Sequence, residues 1–319
     1  MEDDKKRESI YDLIIIGGGP AGLSASIYAK RALIKILLIE KSPEFGGKLN
    51  KTEQIDNYIG FYSIKGIELA KKMYEHIDSY EIERKNSEIW SLEKKSDLFF
   101  LRTKENEMLL SKTVIIASGA IERKLGVNGE KEFENIGVSY CAICDGFIFR
   151  DKSVAVVGGG YSAFEIALYM GNIANKVYLI HRSEIFNVDK EIIERVKKNP
   201  KIEMILNCSI KKIFGKRKVE KILIEDFLKN KNELEVSCVF PCIGLLPFVN
   251  FIHIHEQNIF DSQNYIKIND DCSTKVEGLF AAGDVARMSD KKIKQIVTSV
   301  SEGAIAAQSV IKYLNKIKI

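Results

Sequence analysis

One pattern occurs twice in this chain, a short β-branched strand running into a glycine turn that opens a helix, and it restricts the fold more than any other feature. Leu13-Ile14-Ile15-Ile16 enters Gly17-Gly18-Gly19-Pro20-Ala21-Gly22, and Val154-Ala155-Val156-Val157 enters Gly158-Gly159-Gly160-Tyr161-Ser162-Ala163. Helix-like segments follow at Leu23–Arg31 and Phe164–Ile173, and each copy returns to a second apolar run, Ile36–Ile39 and Val177–Ile180. Strand, helix and parallel strand in that order make a βαβ unit, so the fold class is α/β with two Rossmann-like dinucleotide-binding domains. A chain of 319 residues suits two domains, since single cores stop growing at roughly 250–300 residues.

Each turn reads G-x-G-x-x-G/A, and each small residue has a task. The first glycine permits the tight turn, the second lets backbone N–H groups approach a pyrophosphate, and the third lets helix and strand pack closely. The pyrophosphate then lies at a helix N-terminus, where the dipole and the free N–H groups attract it. Gly17, Gly19, Pro20, Ala21 and Gly22 are therefore cofactor-binding candidates in the first copy, and Gly158, Gly160, Ser162 and Ala163 in the second. Twenty-three residues after the first glycine, the first copy places Glu40 and the second His181, with Arg182 beside it. A carboxylate there suits a ribose diol and a cation suits a 2′-phosphate, so the pair of ligands expected is FAD and NADPH, with NADH the alternative.

The bulk properties remove several other classes. With 45% hydrophobic and 29% charged residues the chain reads as globular, and no apolar run approaches the 18 or so residues of a membrane span. Met1–Ser9 is charged at nearly every position and has no apolar stretch, so it is not a secretory signal. Lys211, Lys212, Lys216, Arg217 and Lys218 surround Gly215 between apolar residues, which predicts a solvated hairpin tip rather than a nucleic-acid patch.

Six cysteines are too few for a disulfide scaffold. Cys208, Cys238, Cys242 and Cys272 sit in apolar, strand-like runs, where a small buried side chain is the default. Only Cys141-Ala142-Ile143-Cys144 forms a tight motif. A different class of reading has Cys141 and Cys144 binding zinc with Cys238 and Cys242, near His253 and His255, because a structural zinc takes four ligands. The run ending in Ile243-Gly244-Leu245-Leu246-Pro247 ranks that reading far lower.

From Tyr11 to Tyr313 the sequence resembles the low-molecular-weight thioredoxin reductases. The resemblance rests on the first glycine turn, Gly46-Gly47-Lys48-Leu49, Asp56-Asn57-Tyr58, Ala117-Ser118-Gly119-Ala120, Gly137–Gly146 with its Cys-Ala-Ile-Cys-Asp-Gly core, and Gly278–Val285. It implies a cytoplasmic, homodimeric flavoprotein of cell redox homeostasis that passes electrons from NADPH through FAD to a Cys141/Cys144 disulfide and on to thioredoxin. It also implies a discontinuous FAD domain, residues 1–120 and 249–319, with the nicotinamide domain, 121–248, inserted and carrying the disulfide. Gly47, Lys48, Leu49, Asn57, Gly119, Gly283 and Asp284 join the FAD contacts, and Gln295 at the start of the last helix presents its backbone N–H to the flavin. Thr274–Phe280 is expected to be the strand before Gly283.

In the family's mechanism the cysteine nearer the flavin corresponds to Cys144, the one facing the partner disulfide to Cys141, and the general acid to Asp145. Domain rotation is implied, with hinges near 119–125 and 245–250, and the docking surface for thioredoxin falls at Phe147 and Ile148. Phe149 reads equally as part of a strand packed into the core. The chain departs from the pattern at several places. The coenzyme motif is His181-Arg182-Ser183, with Asn187 where a further arginine is usual, Tyr161 stands in the second glycine turn, Lys48 replaces a glutamine, and Ile136 a basic residue. Two missing guanidinium groups, at about 1.5–3 kcal/mol each, weaken the preference for a 2′-phosphate. NADH, or a protein donor such as ferredoxin, is accordingly the alternative source of electrons, and a different disulfide the alternative partner. A flavin redox sensor without turnover is the remaining non-enzyme reading.

Overall fold

In the computed structural model the described residues are 10–52, 55, 57–186, 188–254, 258–288 and 294–317, with the side chains of Lys51, Ile143 and Cys144 excepted. Residues 1–9, Asp56, Asn187 and His255 lie outside this set. The chain divides into two compact units, one built from the residues up to Ile121 together with those from Leu246 onward, the other from Glu122–Leu245.

The first unit begins with β1 (Ile10–Ile16), α1 (Pro20–Arg31) and β2 (Ile36–Glu40), and β1 pairs with β2 in parallel from Leu13↔Ile36 to Ile16↔Ile39. Leu13–Ile16 and Ile36–Ile39 are buried throughout, as continuous apolar runs are when a parallel sheet is covered on both faces. After α2 (Gly66–Asp78), β3 (Arg84–Asn86) extends the sheet beyond β2, and β4 (Ile89–Lys95), β5 (Leu98–Thr103) and β6 (Met108–Ile116) form an antiparallel meander. β6 is shared: residues 108–111 pair with β5, while its later part runs parallel to β1.

The chain passes out of this unit through β7 (Ala120–Glu122), which later pairs with β15 (Leu245–Pro247) where the chain comes back. Between them lie α3 (Ala142–Asp145), β8 (Ser153–Val157), α4 (Tyr161–Ile173), β9 (Lys176–Ile180), α5 (Lys190–Lys198), β10 (Ile202–Ile205), β11 (Cys208–Gly215), β12 (Val219–Asp226), β13 (Lys231–Glu235) and β14 (Cys238–Pro241). β10-β9-β8-β14 is a parallel sheet and β11-β12-β13 an antiparallel one. Alternation along β8 assigns its faces: Val154 and Val156 pack with Ala163, Phe164, Ala167 and Met170 of α4, while Ala155 and Val157 pack with Ile213, Val219 and Ile222 of the antiparallel sheet. The basic residues 216–218 form the tip of the β11–β12 hairpin, and Lys212 and Lys221 lie over the Phe214 ring.

The last stretch of the first unit holds β16 (Ile266–Lys267), β17 (Leu279–Ala281), β18 (Ala286–Arg287) and α6 (Ile296–Ile317). β17 pairs with β6 from Leu279↔Val114 to Ala281↔Ile116, which completes the parallel core. The strand expected at Thr274–Phe280 shrinks to these three residues. The Thr274 side chain accepts the Val276 N–H and Leu279 N–H reaches back to Val276 O, which turns the backbone out of the ladder before Leu279. α6 packs on α1 so closely that a Cβ on Gly303 would stand 2.1 Å from Ala21 O.

Candidate functional site

The first glycine turn is closed on all sides but one. Gly17 has φ +112°, open to glycine alone, and a Cβ there would meet Ala117 O at 2.3 Å, just beyond the end of β6. A Cβ on Gly22 would stand 1.8 Å from Gly17 O, so α1 can start only if this residue is glycine. A Cβ on Gly18 would press on Phe45 and Glu40. Gly19 differs, since a Cβ there would reach only the Gly47 Cα, at 4.0 Å. Gly19 is also the N-cap of α1, with no side-chain cap and no acidic residue in the first turn, so the helix offers its N–H groups outward.

Around this opening stand the other first-unit candidates. Glu40 is buried at the end of β2, its carboxylate accepting Gly18 N–H at 2.6 Å and Ser42 N–H at 2.8 Å, which fixes its position beside the turn. Gly47 faces Gly19 and adopts φ +58°. Lys48 Nζ pairs with Asp284 Oδ2 at 3.1 Å, and Gly283 N–H is held by Glu302 of α6 at 2.8 Å. Asn57 donates to the Gln295 side chain at 3.1 Å. Two candidates are placed differently from the simplest expectation. The Leu49 side chain is 2% exposed within a cluster with Ile55, Ile64 and Leu69, which leaves its backbone to face a ligand. Gln295 N–H lies 3.2 Å from Thr298 Oγ1 at the mouth of α6, so a ligand would compete with that contact. Gly119 adopts φ +70° in open space, and Ser118 and Gly119 both bond Phe248.

The second turn repeats the geometry. Gly158 has φ +150° with a Cβ position 2.3 Å from Cys242 O, and Gly159 packs against the His181 ring as Gly18 does against Glu40. Gly160 has no atom within 4 Å of its Cβ position and is the uncapped N-cap of α4. Ala163 is fully buried where the first copy has Gly22, while Tyr161 and Ser162 are exposed on the first turn of α4. His181 is held by Ile185 O and by the Ser183 hydroxyl, each at 3.2 Å from Nε2, and burial lowers its pKa below the ordinary value. Ser183 Oγ is further engaged with the Ile185 N–H and carbonyl, and Arg182 is exposed.

Cys141 is half-buried, immediately before α3, and is disulfide-bonded, whereas Cys208, Cys238, Cys242 and Cys272 are free. Asp145 ends α3, its N–H donating to Cys141 O at 3.1 Å. Phe147 and Ile148 are exposed, with Arg150 over the Phe147 ring, whereas Phe149 packs edge-on against Phe240. Residues 146–149 form a 3₁₀ turn, which corrects the expectation of a strand there; Phe149 reaches the core all the same because the turn puts every third side chain inward.

Burial pushes the Cys238 thiol well above the ordinary range, with Asp145 adding to the effect, and pushes Cys242 up to about 12. Their Sγ atoms lie against Val239 O and Phe240 O, and among the described residues no group of three His, Cys, Asp or Glu is arranged to hold a metal ion. Iodoacetamide added at about pH 8 to the reduced, folded protein is therefore expected to modify Cys141 and Cys144 and to spare Cys238, which is fully buried and held as the thiol. Peptide mapping reads the result, and rapid labelling of Cys238 would refute its assignment as an inert core thiol.

Sequence reasoning missed three supporting residues. Glu130 accepts Leu125 N–H, Gly126 N–H and the Tyr140 hydroxyl and so braces the segment before Cys141. Glu302 holds the Gly283 turn, and Ser139 bonds Asp145. No local pattern marks any of them, because the turns that bring these donors and acceptors together take shape only when the chain folds.

Comparison with known proteins identifies the family. Residues 11–303 match the pyridine nucleotide-disulphide oxidoreductase family. The thioredoxin reductase of Mycoplasma pneumoniae is 38% identical over 306 residues, 96% of each chain. That of Bacillus subtilis is 39% identical over 313 residues, 98% of this chain and 97% of its own. The crystal structure of the Lactococcus lactis thioredoxin reductase superposes with a TM-score of 0.85 at 35% identity, over 96% of this chain and 99% of that one.

Proposed function

The chain belongs to the pyridine nucleotide-disulphide oxidoreductases and, within them, to the thioredoxin reductases, and from that membership we propose that NADPH supplies electrons through FAD to a Cys141/Cys144 disulfide, whose dithiol form reduces thioredoxin. The open space over Gly19 and Gly160 carries this reading. In turns whose other glycines are hemmed in, no protein atom requires glycine at these two positions, whereas a pyrophosphate lying on the N–H groups would.

FAD, when bound, takes a hydride equivalent from the coenzyme and passes an electron pair to a disulfide. The first unit fits it: Gly17–Gly22 and the N-terminus of α1 for the pyrophosphate, Glu40 for the adenosine ribose, and Gly283 with Asp284 for the ribityl and phosphate region. Gly47, Lys48, Asn57, Gly119, Gln295 and the backbone of Leu49 line the rest. In the second unit Gly158, Gly160, Ser162 and Ala163 receive the coenzyme pyrophosphate, and His181, Arg182 and Ser183 the adenosine ribose. Arg182 is the guanidinium available to a 2′-phosphate. A second reading, NADH, is favoured by the engaged Ser183 hydroxyl and by the burial of His181, which lowers its pKa below the ordinary value and disfavours the cationic form.

Cys141, as thiolate, attacks one sulfur of the thioredoxin disulfide and forms a mixed disulfide; Cys144 then attacks Cys141, which restores the intramolecular bond and releases thioredoxin as a dithiol. Asp145 supplies a proton to the departing sulfur. Phe147 and Ile148 present an apolar face to the partner. Among the described residues no helix is long and apolar enough to cross a membrane, and the proposed setting is a cytoplasmic homodimer.

Anaerobic titration with NADPH and separately NADH, following flavin absorbance and then adding oxidised thioredoxin, tests the route and decides the donor. Gly160→Ala is expected to keep the wild-type melting curve and raise the KM for the preferred coenzyme by about tenfold or more, since its methyl group occupies free space beside the phosphate position. An unchanged KM, or no bleaching by either coenzyme, sinks the nicotinamide assignment.

A further inference from the structure

Ser139 is 5% exposed and joins the redox turn at several points. Its hydroxyl donates to Asp145 Oδ2 at 2.5 Å and accepts the Cys141 N–H at 3.1 Å, while Cys141 O lies 3.3 Å from the same oxygen. Its own backbone is rigid: Ser139 N–H bonds Val239 O, and Val239 N–H bonds Gly137 O, so residues 137–139 run along β14 as a parallel bridge at Val138. One buried hydroxyl thus connects the inner sheet, the backbone of Cys141 and the carboxyl of Asp145.

A carboxylic acid has two oxygens and one proton, and as a general acid it is useful only if the proton sits on the oxygen aimed at the sulfur. We infer that Ser139 is a positioning residue of the disulfide half-reaction, occupying Asp145 Oδ2 as a donor so that the transferable proton is carried on Oδ1. This rests on the reading of Asp145 as the general acid. When Oδ1 delivers its proton to the departing thiolate sulfur, the sulfur becomes a thiol, the Asp145 carboxylate keeps the Ser139 hydrogen bond, and water restores the proton for the next turnover. Among the described residues, the buried Cys238 thiol of β14 lies within electrostatic reach of Asp145, and the ring of Tyr169 of α4 lies against the next residue, Gly146. Cys238 is kept protonated by burial and does not take over the role.

The test uses the flavin-loaded full chain as wild type, Ser139→Ala, Ser139→Thr and Asp145→Asn, with coenzyme-driven flavin bleaching and melting as controls. Ser139→Ala is expected to lower kcat with thioredoxin about tenfold at unchanged KM. Ser139→Thr, which keeps the hydroxyl, restores kcat. Wild-type kcat in Ser139→Ala overturns the inference, as does a loss of kcat that Thr fails to restore or that comes with a lowered melting temperature. If Asp145→Asn itself leaves the disulfide step at the wild-type rate, the general-acid reading fails first, and the two failures are thereby told apart.

Discussion

Cys141→Ser should reduce thioredoxin about a thousandfold more slowly, or worse, while its flavin is still bleached by the coenzyme. The hydroxyl stays protonated at neutral pH and forms no bond to a disulfide sulfur, so the outgoing half of the route is cut and the incoming half is not. Cys208→Ser, at a free and half-buried cysteine, is the matching control and should turn over as wild type. Stopped-flow bleaching and steady-state thioredoxin reduction on the same preparations separate the two halves. Retained turnover in Cys141→Ser would remove the disulfide from the mechanism; loss of bleaching as well would mean that Cys141 supports the flavin or coenzyme site.

Gly22→Ala should have a large structural effect for a single methyl group. Its Cβ would stand 1.8 Å from Gly17 O and 3.0 Å from Gly17 C, both backbone atoms of a turn that is itself pinned by Gly17 at φ +112°. No rotamer change relieves a Cβ, so α1 must move away from β1, and α6, which touches α1 backbone to backbone at Gly303, must move with it. The cost is about 3 kcal/mol or more, a large share of the 5–15 kcal/mol that holds a domain folded. The purified variant should be nearly colourless, with less than about a tenth of the wild-type flavin. Gly19→Ala, whose methyl meets only the Gly47 Cα at 4.0 Å, should stay folded and bind flavin more weakly. The ratio of absorbance near 450 nm to that at 280 nm, with a urea melt for each variant, reads both. A yellow Gly22→Ala protein with wild-type stability would contradict the described packing of α1.

Local chemistry determined much of this protein. The β-branched runs at Leu13–Ile16 and Val154–Val157 become central parallel strands because nothing else buries four consecutive apolar side chains so economically, and the turns after them need glycine at Gly17 and Gly158 because the backbone there has positive φ. The identical spacing to Glu40 and His181 was also legible, since two βαβ units of equal length bring equivalent residues beside Gly18 and Gly159. Other features were decided only when distant segments met. Leu49 turns into a cluster with Leu69, Thr274–Gly278 leaves the ladder through its own side-chain bonds, and the Ser183 hydroxyl is taken up by His181 and Ile185. Glu302 reaches Gly283 across 19 residues, and Ser139 acquires its place from β14, a hundred residues further along. Periodicity and turn chemistry are carried by neighbours in sequence, whereas the orientation of a buried hydroxyl or carboxylate is set by which unpaired donor or acceptor the fold places beside it.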